Sequence, residues 1–166
     1  MKSFRIHLGI MSAMAAALTL AACGGTASTP SGGAASPSGA ALIHTASIKV
    51  GSTTETVLKN DKGLTLYYFT PDTATTVACT GGCASNWPPL VSTSGTPTSD
   101  PALPGHLTVL NGANGNQVLY NGHPLYTYMK DGDTADAYGQ GIGGKWFVAT
   151  PGLSAAAGAT STPYKY

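Results

Sequence analysis

The stretch Leu66-Tyr67-Tyr68-Phe69-Thr70-Pro71-Asp72 has a counterpart later in the chain, Leu125-Tyr126-Thr127-Tyr128-Met129-Lys130-Asp131. Each stretch has a tyrosine, an aromatic residue two positions later and an aspartate three positions after that. A tryptophan follows each stretch at the same distance, Trp87 in the first and Trp146 in the second. The chain therefore contains an internal repeat, and units of this size usually bury their apolar faces against one another.

Short segments rich in β-branched and aromatic residues surround both motifs and predict strands. Turn signals separate them, among them Asp61-Lys62-Gly63, Asn111-Gly112 and Asn121-Gly122, because asparagine and glycine accept positive φ. We predict an all-β domain, a small barrel or sandwich of about eight short strands from two pseudo-symmetric repeats. The predicted strands are 46–50, 55–59, 64–69 and 87–91 in repeat 1 (46–91), and 107–110, 117–120, 125–128 and 146–149 in repeat 2 (107–149).

Residues 1–22 have the pattern of a bacterial lipoprotein signal peptide. Lys2 and Arg5 give a positive start, and the apolar stretch after them is shorter than the roughly 20 residues that span a bilayer. Leu20-Ala21-Ala22-Cys23 then resembles a lipobox, in which small residues precede a cysteine whose thiol accepts a diacylglycerol. We expect the lipid on Cys23; the alternative is an ordinary secretory signal with Cys23 merely nearby.

Composition divides the rest of the chain. Residues 23–44 are rich in glycine, alanine, serine and proline, and such a segment cannot bury enough apolar surface to offset its ordering entropy. We expect a flexible tether there, a folded β-domain over 45–151 and a flexible C-terminal tail over 152–166.

Charge excludes one class of partner. The chain has 8 Lys+Arg against 7 Asp+Glu, a formal net charge of +1, and Arg5 is its single arginine. Because nucleic-acid binding relies on clustered basic residues and on arginine forks, we expect no nucleic-acid partner.

The two Tyr-x-aromatic-x-x-Asp motifs, together with the lipobox, resemble the bacterial secreted-repeat lipoproteins named for a Yx(FWY)xxD motif. Residues 79–90 and 144–148 are also similar to that family, so the resemblance covers nearly all of the predicted domain. The family has no agreed activity. The resemblance therefore implies a cellular location and a fold but no particular reaction. Repeat 2 departs from repeat 1 where Tyr138 and Ile142 stand at the positions of two cysteines.

The aromatic residues of each motif point to one face of a strand, which predicts that they fill the core. Each aspartate then lies in a turn, where it can accept N–H groups from the loop that follows. The alternative is a ligand pocket at the pseudo-twofold axis, with the tyrosines exposed. The motif residues concerned are Tyr67, Phe69, Asp72 and Trp87 in repeat 1 and Tyr126, Tyr128, Asp131 and Trp146 in repeat 2.

Two cysteines remain besides Cys23. In an oxidising compartment Cys79 and Cys83 are expected to form a disulfide. The alternative is a thiolate clamp for a metal such as copper, which would need a histidine or methionine nearby. His106, His123 and Met129 are the candidates, although none has a ligand spacing to the pair.

No set of nucleophile, base and orienting residue can be assembled, so we predict no enzyme, no cofactor and no metal site. We expect a non-catalytic interaction or structural module of the cell envelope, held to the membrane through the lipid on Cys23. Its partner would be an envelope protein or a small molecule. The alternatives are an extracytoplasmic metal or redox module using Cys79 and Cys83, or a carbohydrate binder using aromatic faces. Gly24 favours the outer membrane if the source has two membranes.

Overall fold

The structure is a computed structural model that describes residues 41–93 and 95–159. These residues belong to the second of the two units into which the chain divides, Ser36–Tyr166. The predicted signal peptide, Cys23, the tether up to residue 40 and the tail from residue 160 lie outside the described residues.

The described residues form seven strands and little helix, which confirms the all-β prediction. Among them no helix has the length and apolar character that crossing a membrane would need. The strands are β1 (Ile43–Val50), β2 (Thr53–Asn60), β3 (Tyr67–Phe69), β4 (Leu107–Gly112), β5 (Gly115–Tyr120), β6 (His123–Pro124) and β7 (Trp146–Val148), with a short helix α1 (Gly82–Asn86) and a 3-10 turn (Ile142–Gly144).

The strands form three small sheets. β1 and β2 make an antiparallel hairpin, β4, β5 and β6 make a three-stranded antiparallel sheet, and β3 pairs with β7. Among the described residues these sheets do not close into a barrel, and the arrangement is sandwich-like.

The repeats exchange strands rather than folding side by side. β3 of repeat 1 pairs with β7 of repeat 2, with Phe69 opposite Trp146. In return the motif backbone of repeat 2 bonds to the segment before β4: the Thr127 N–H donates to Pro88 O over 2.8 Å and the Met129 N–H to Asn86 O over 3.0 Å. Neither half can complete its own hydrogen bonding without the other.

The pseudo-twofold axis passes between the two motif tyrosines. The Tyr67 N–H donates to Tyr126 O over 2.8 Å, and the Tyr126 N–H donates to Tyr67 O over 2.9 Å. Such a reciprocal pair of bonds is what an antiparallel contact about a twofold axis requires.

Apolar side chains form two clusters. The first lies around the axis and contains Ile48, Val50, Val57, Tyr67, Cys79, Trp87, Tyr126, Trp146 and Val148. The second lies beneath the hairpins and contains Ile43, Leu58, Leu66, Leu90, Val118, Tyr120, Leu125 and Ala149.

Several strand predictions need correction. The segment predicted as a strand over 87–91 forms only isolated bridges, because Pro88 and Pro89 have no N–H to donate to a ladder. The predicted turn at Asn111-Gly112 lies inside β4, and the chain reverses one step later, between Gly112 and Gly115. The helix α1 was not predicted.

The ends of the described domain also differ from the predicted boundaries. β1 begins at Ile43, inside the predicted tether. Residues 152–159, predicted as part of the tail, bond to the domain: the Ala156 N–H donates to Asn121 O over 2.9 Å, and Asn121 Nδ2 donates to Leu153 O over 2.7 Å. Composition missed this because small residues with few apolar atoms can still be held through their backbone groups.

Candidate functional site

Four aromatic rings form one continuous stack across the axis. Trp87 and Trp146 are parallel, with their centroids 3.7 Å apart and 1° between their planes. Tyr128 stacks on the outer face of Trp87 and Phe69 on the outer face of Trp146, each with a centroid distance of 4.3 Å. The order is therefore Tyr128, Trp87, Trp146, Phe69, and it follows from the strand exchange that places Phe69 opposite Trp146.

The stack is shielded from solvent at its centre and partly open at its ends. Each tryptophan is 5% exposed, whereas Phe69 and Tyr128 are half-buried. The two motif tyrosines, each 0% exposed, meet the indoles edge-on: Tyr67 lies 5.5 Å from Trp87 and Tyr126 lies 5.2 Å from Trp146 between centroids. Edge-to-face contacts of this kind favour the ring quadrupoles.

Each motif tyrosine donates its hydroxyl to the aspartate of the other repeat. Tyr67 Oη donates to Asp131 Oδ2 over 2.5 Å, and Tyr126 Oη donates to Asp72 Oδ2 over 2.6 Å. Both carboxyl groups are 5% exposed. The motif is therefore completed across the axis and not within one repeat.

The second oxygen of each carboxyl group pins the loop that follows. Asp72 Oδ1 accepts from the Ala78 N–H over 2.7 Å, and Asp131 Oδ1 accepts from the Tyr138 N–H over 3.1 Å. This is the role predicted from the sequence. The aspartate thus ties three parts together: its own turn, its own loop and the tyrosine of the other repeat.

Burial sets the protonation of these pairs. It raises the pKa of the Asp72 and Asp131 carboxyl groups above the ordinary value, although the tyrosine hydroxyls and loop N–H groups act in the opposite direction. Burial and the facing carboxyl group also raise the pKa of the Tyr67 and Tyr126 hydroxyls. The hydroxyls consequently stay protonated at neutral pH and remain donors.

Cys79 and Cys83 form a disulfide, as predicted, with 5.2 Å between their Cα atoms. The bond takes up both sulfur atoms that the metal alternative would need. Among the described residues no group of three or more His, Cys, Asp or Glu side chains is arranged to hold a metal ion.

The other candidate ligands make contacts of their own. His123 Nε2 lies 3.0 Å from Ser154 O, and its ring contacts Tyr68. Its buried Nδ1 has no hydrogen-bond partner among the described residues, and burial lowers the pKa of the imidazole. Met129 is 58% exposed.

A cavity of about 340 Å³ lies beside the segment 155–159. His106 and Thr108 form part of its wall, and Leu119 and Gly122 are buried beneath it. Its position is separate from the motif residues, which do not line it.

Sequence reasoning missed a buried lysine. Lys59 is 2% exposed, and its Nζ donates to Thr65 Oγ1 over 2.7 Å and to Thr134 O over 2.8 Å. Burial lowers the pKa of its amino group. Its counterpart in repeat 2 is Tyr120, whose hydroxyl donates to Pro151 O over 2.6 Å, so no periodic pattern marked the position.

Comparison with known proteins agrees with the repeat. A family described as a secreted repeat of unknown function matches residues 52–91 and 108–150, which together make up half of the chain. No curated protein and no solved structure matches. The description as secreted is consistent with a location outside the cytoplasm. With both repeats matched, the chain belongs to this family of secreted repeats.

Proposed function

We propose that the protein is a lipid-anchored, non-catalytic β-domain of the bacterial cell envelope that acts as a structural or interaction module. One observation carries the proposal: the polar atoms of the motif are engaged inside the domain. The hydroxyls of Tyr67 and Tyr126 bind Asp131 and Asp72, and the second carboxyl oxygens bind loop N–H groups.

The motif therefore builds the fold and leaves recognition to other parts of the surface. A ligand pocket at the axis would need open tyrosine faces, but both tyrosines are 0% exposed and both tryptophans are 5% exposed. The carbohydrate alternative loses support for the same reason. The metal alternative loses support because both thiols are consumed by the disulfide.

The anchor part of the proposal rests on Cys23. About 20 residues separate it from β1, and a flexible chain of that length has an r.m.s. end-to-end distance of about 25 Å. A lipid there would hold the domain near the membrane while leaving its surface free to meet an envelope partner, with the outer membrane favoured if the source has two.

Replacing Cys23 tests the anchor directly. In Cys23→Ser the thiol that would be acylated is gone, so the protein should leave the membrane fraction or remain as uncleaved precursor. The double variant Cys79→Ser/Cys83→Ser is the matched control, since it removes two thiols outside the lipobox and should stay in the membrane fraction. An unchanged fractionation and mass for Cys23→Ser would contradict the anchor.

A second measurement separates this proposal from the metal module. The purified domain, released from the membrane, is assayed for free thiols and for bound metal. We expect no reactive thiol before reduction and no stoichiometric metal. Two free thiols with bound metal in protein isolated from the envelope would overturn the non-catalytic assignment.

A further inference from the structure

The core contains an unbroken path of easily oxidised rings. From Tyr128 the path runs through Trp87 to Trp146 with centroid distances of 4.3 Å and 3.7 Å. Tyr67 and Tyr126 adjoin the two indoles at 5.5 Å and 5.2 Å. Rings in van der Waals contact are strongly coupled for electron transfer. With both thiols joined in a disulfide, indole and phenol are the groups of this core that lose one electron most readily.

Each buried phenol also has a proton acceptor in place. A tyrosine loses an electron far more easily when its proton leaves at the same time, and in an apolar core there is no water to take it. Tyr67 and Tyr126 hold their hydroxyl protons 2.5 Å and 2.6 Å, oxygen to oxygen, from the carboxyl groups of Asp131 and Asp72. The loop N–H groups fix both carboxyl groups in that orientation.

We propose that this core is a one-electron relay, in which an oxidising equivalent taken up at the end of the stack comes to rest as a neutral radical on Tyr67 or Tyr126. The oxidant is a small oxidising radical outside the cytoplasm, which gains one electron and becomes its anion. Tyr67 loses one electron through the stack, and its hydroxyl proton moves to Asp131 Oδ2. A small phenolic or enediol reductant outside the cytoplasm later gives one electron to the tyrosyl radical, becoming a radical itself, and the proton returns from Asp131 Oδ2 to the phenol oxygen.

The two ends of the stack are not equivalent. The half-buried ring at one end is Tyr128, which can be oxidised, and at the other end is Phe69, which resists oxidation. The oxidant therefore removes an electron at Tyr128, at the repeat 2 end of the stack, and not at Phe69, at the repeat 1 end. This asymmetry has no counterpart in packing, since both rings stack at 4.3 Å.

The test uses the full chain and photogenerated tris(bipyridine)ruthenium(III) as the one-electron oxidant, with electron paramagnetic resonance and transient absorption as readouts. We expect a neutral tyrosyl radical in the native protein. In Asp72→Asn/Asp131→Asn the side chain is no longer a base, and its single oxygen can accept from the tyrosine hydroxyl or from the loop N–H but not from both. That variant should lose the tyrosyl signal and accumulate an indole radical, whereas Asp61→Asn, at an exposed hairpin aspartate, should behave as the native protein does.

Two further variants cover the case in which the double aspartate variant does not fold. Tyr67→Phe/Tyr126→Phe keeps both rings and should lose the long-lived tyrosyl signal while the indole radical persists, because Tyr128, the tyrosine left in the stack, has no hydrogen-bonded carboxyl group among the described residues to take its proton. Tyr138→Phe removes a tyrosine that is 66% exposed and should keep the signal. A tyrosyl signal that survives in Tyr67→Phe/Tyr126→Phe, or one that disappears in Tyr138→Phe, would overturn the relay.

The direction of the relay has its own pair of variants. Tyr128→Phe closes the oxidisable end and should lower the yield of tyrosyl radical, whereas Phe69→Tyr opens the other end and should raise it. Yields that do not respond to either change would show that oxidising equivalents reach the core without the stack.

Discussion

Repeat 1 and repeat 2 agree at the axis and differ away from it. At the axis both repeats supply a tyrosine, an aspartate and a tryptophan in matching places, and each tyrosine binds the aspartate of the other repeat. Away from the axis, equivalent positions of the two repeats carry different kinds of side chain. The diverging pairs are Phe69 and Tyr128, Cys79 and Tyr138, and Lys59 and Tyr120.

This contrast shows what the exchange of strands demands. Because a residue at the axis contacts the other repeat, a change in one repeat must be matched in both. The diverging residues also contact the other repeat, as Phe69 does at Trp146 and Lys59 at the Thr134 carbonyl, but no hydrogen bond among the described residues joins them to their own equivalents, so each can change alone. Gly139 shows how closely the loop of repeat 2 approaches the axis: a Cβ there would lie 2.7 Å from the Tyr67 ring and 2.9 Å from Trp87.

The strongest test of equivalence at the axis is truncation of the tryptophans. Trp87→Ala and Trp146→Ala should each lower the free energy of unfolding by about 3–5 kcal/mol, because each removes a buried ring and unstacks the other. Denaturant unfolding gives the two values. Val91→Ala, at a residue 40% exposed, is the control and should change stability little.

Comparable losses for the two tryptophans would show that the symmetry extends to energetics. A large loss of stability for one tryptophan and a small loss for the other would mean that the stability of the core depends mainly on one repeat. That result would contradict the equivalence expected from two parallel indoles 3.7 Å apart.

The cross-repeat pairing can be tested by double-mutant cycles. Tyr67→Phe and Asp131→Ala should each cost about 1–3 kcal/mol, since a buried partner is left unpaired. Because the two residues share one hydrogen bond, the double variant should cost clearly less than the sum of the single variants.

The same-repeat pair is the matched control. Tyr67 and Asp72 belong to one motif but share no hydrogen bond, so Tyr67→Phe and Asp72→Ala should be nearly additive. Coupling within one repeat and none across the axis would contradict the exchange of partners.

Much of this fold was predictable from the sequence. The repeat and the strand character of much of the domain followed from spacing and composition, but the predicted strand 125–128 forms only isolated bridges, at Tyr126. The disulfide followed from the compartment, and the aspartate-to-loop bonds followed from turn chemistry. These features are local, or depend on a pattern with one physical explanation.

The sequence did not predict which repeat completes which motif. Tyr67 is five residues from Asp72 and 64 from Asp131, and the spacing of the motif alone does not decide which of the two carboxyl groups its hydroxyl reaches. The buried Lys59 was missed because its partners, Thr65 and the Thr134 carbonyl, include an atom from the other repeat. Contacts that join distant segments leave no local signal.

A smaller effect should come from the disulfide that only repeat 1 possesses. Closing a loop of this size contributes about 2 kcal/mol on the chain-entropy estimate, so Cys79→Ala/Cys83→Ala should unfold at lower denaturant without losing the fold. Near-ultraviolet circular dichroism checks that the tryptophan stack persists. Loss of the stack would show that repeat 1 depends on a bond that repeat 2 does without.

The smallest effect concerns pH and the two axial carboxyl groups. Burial raises the folded pKa of Asp72 and Asp131, so their contribution to stability is complete below the unfolded pKa and is lost as pH rises through the folded pKa. From about pH 7 to about pH 4, the native protein should therefore gain stability relative to Asp72→Asn/Asp131→Asn. Burial lowers the pKa of His123, which acts in the opposite direction, and Asp72 interacts with this histidine, so the single variant Asp131→Asn gives the carboxyl effect without that coupling. Urea unfolding across this range measures the difference. The single variants then divide it between the repeats, and both are expected to act in the same direction because burial is the leading cause at both sites. If acid instead favours the double variant, the hydroxyl and N–H bonds outweigh burial, and the carboxyl groups are held charged in the core.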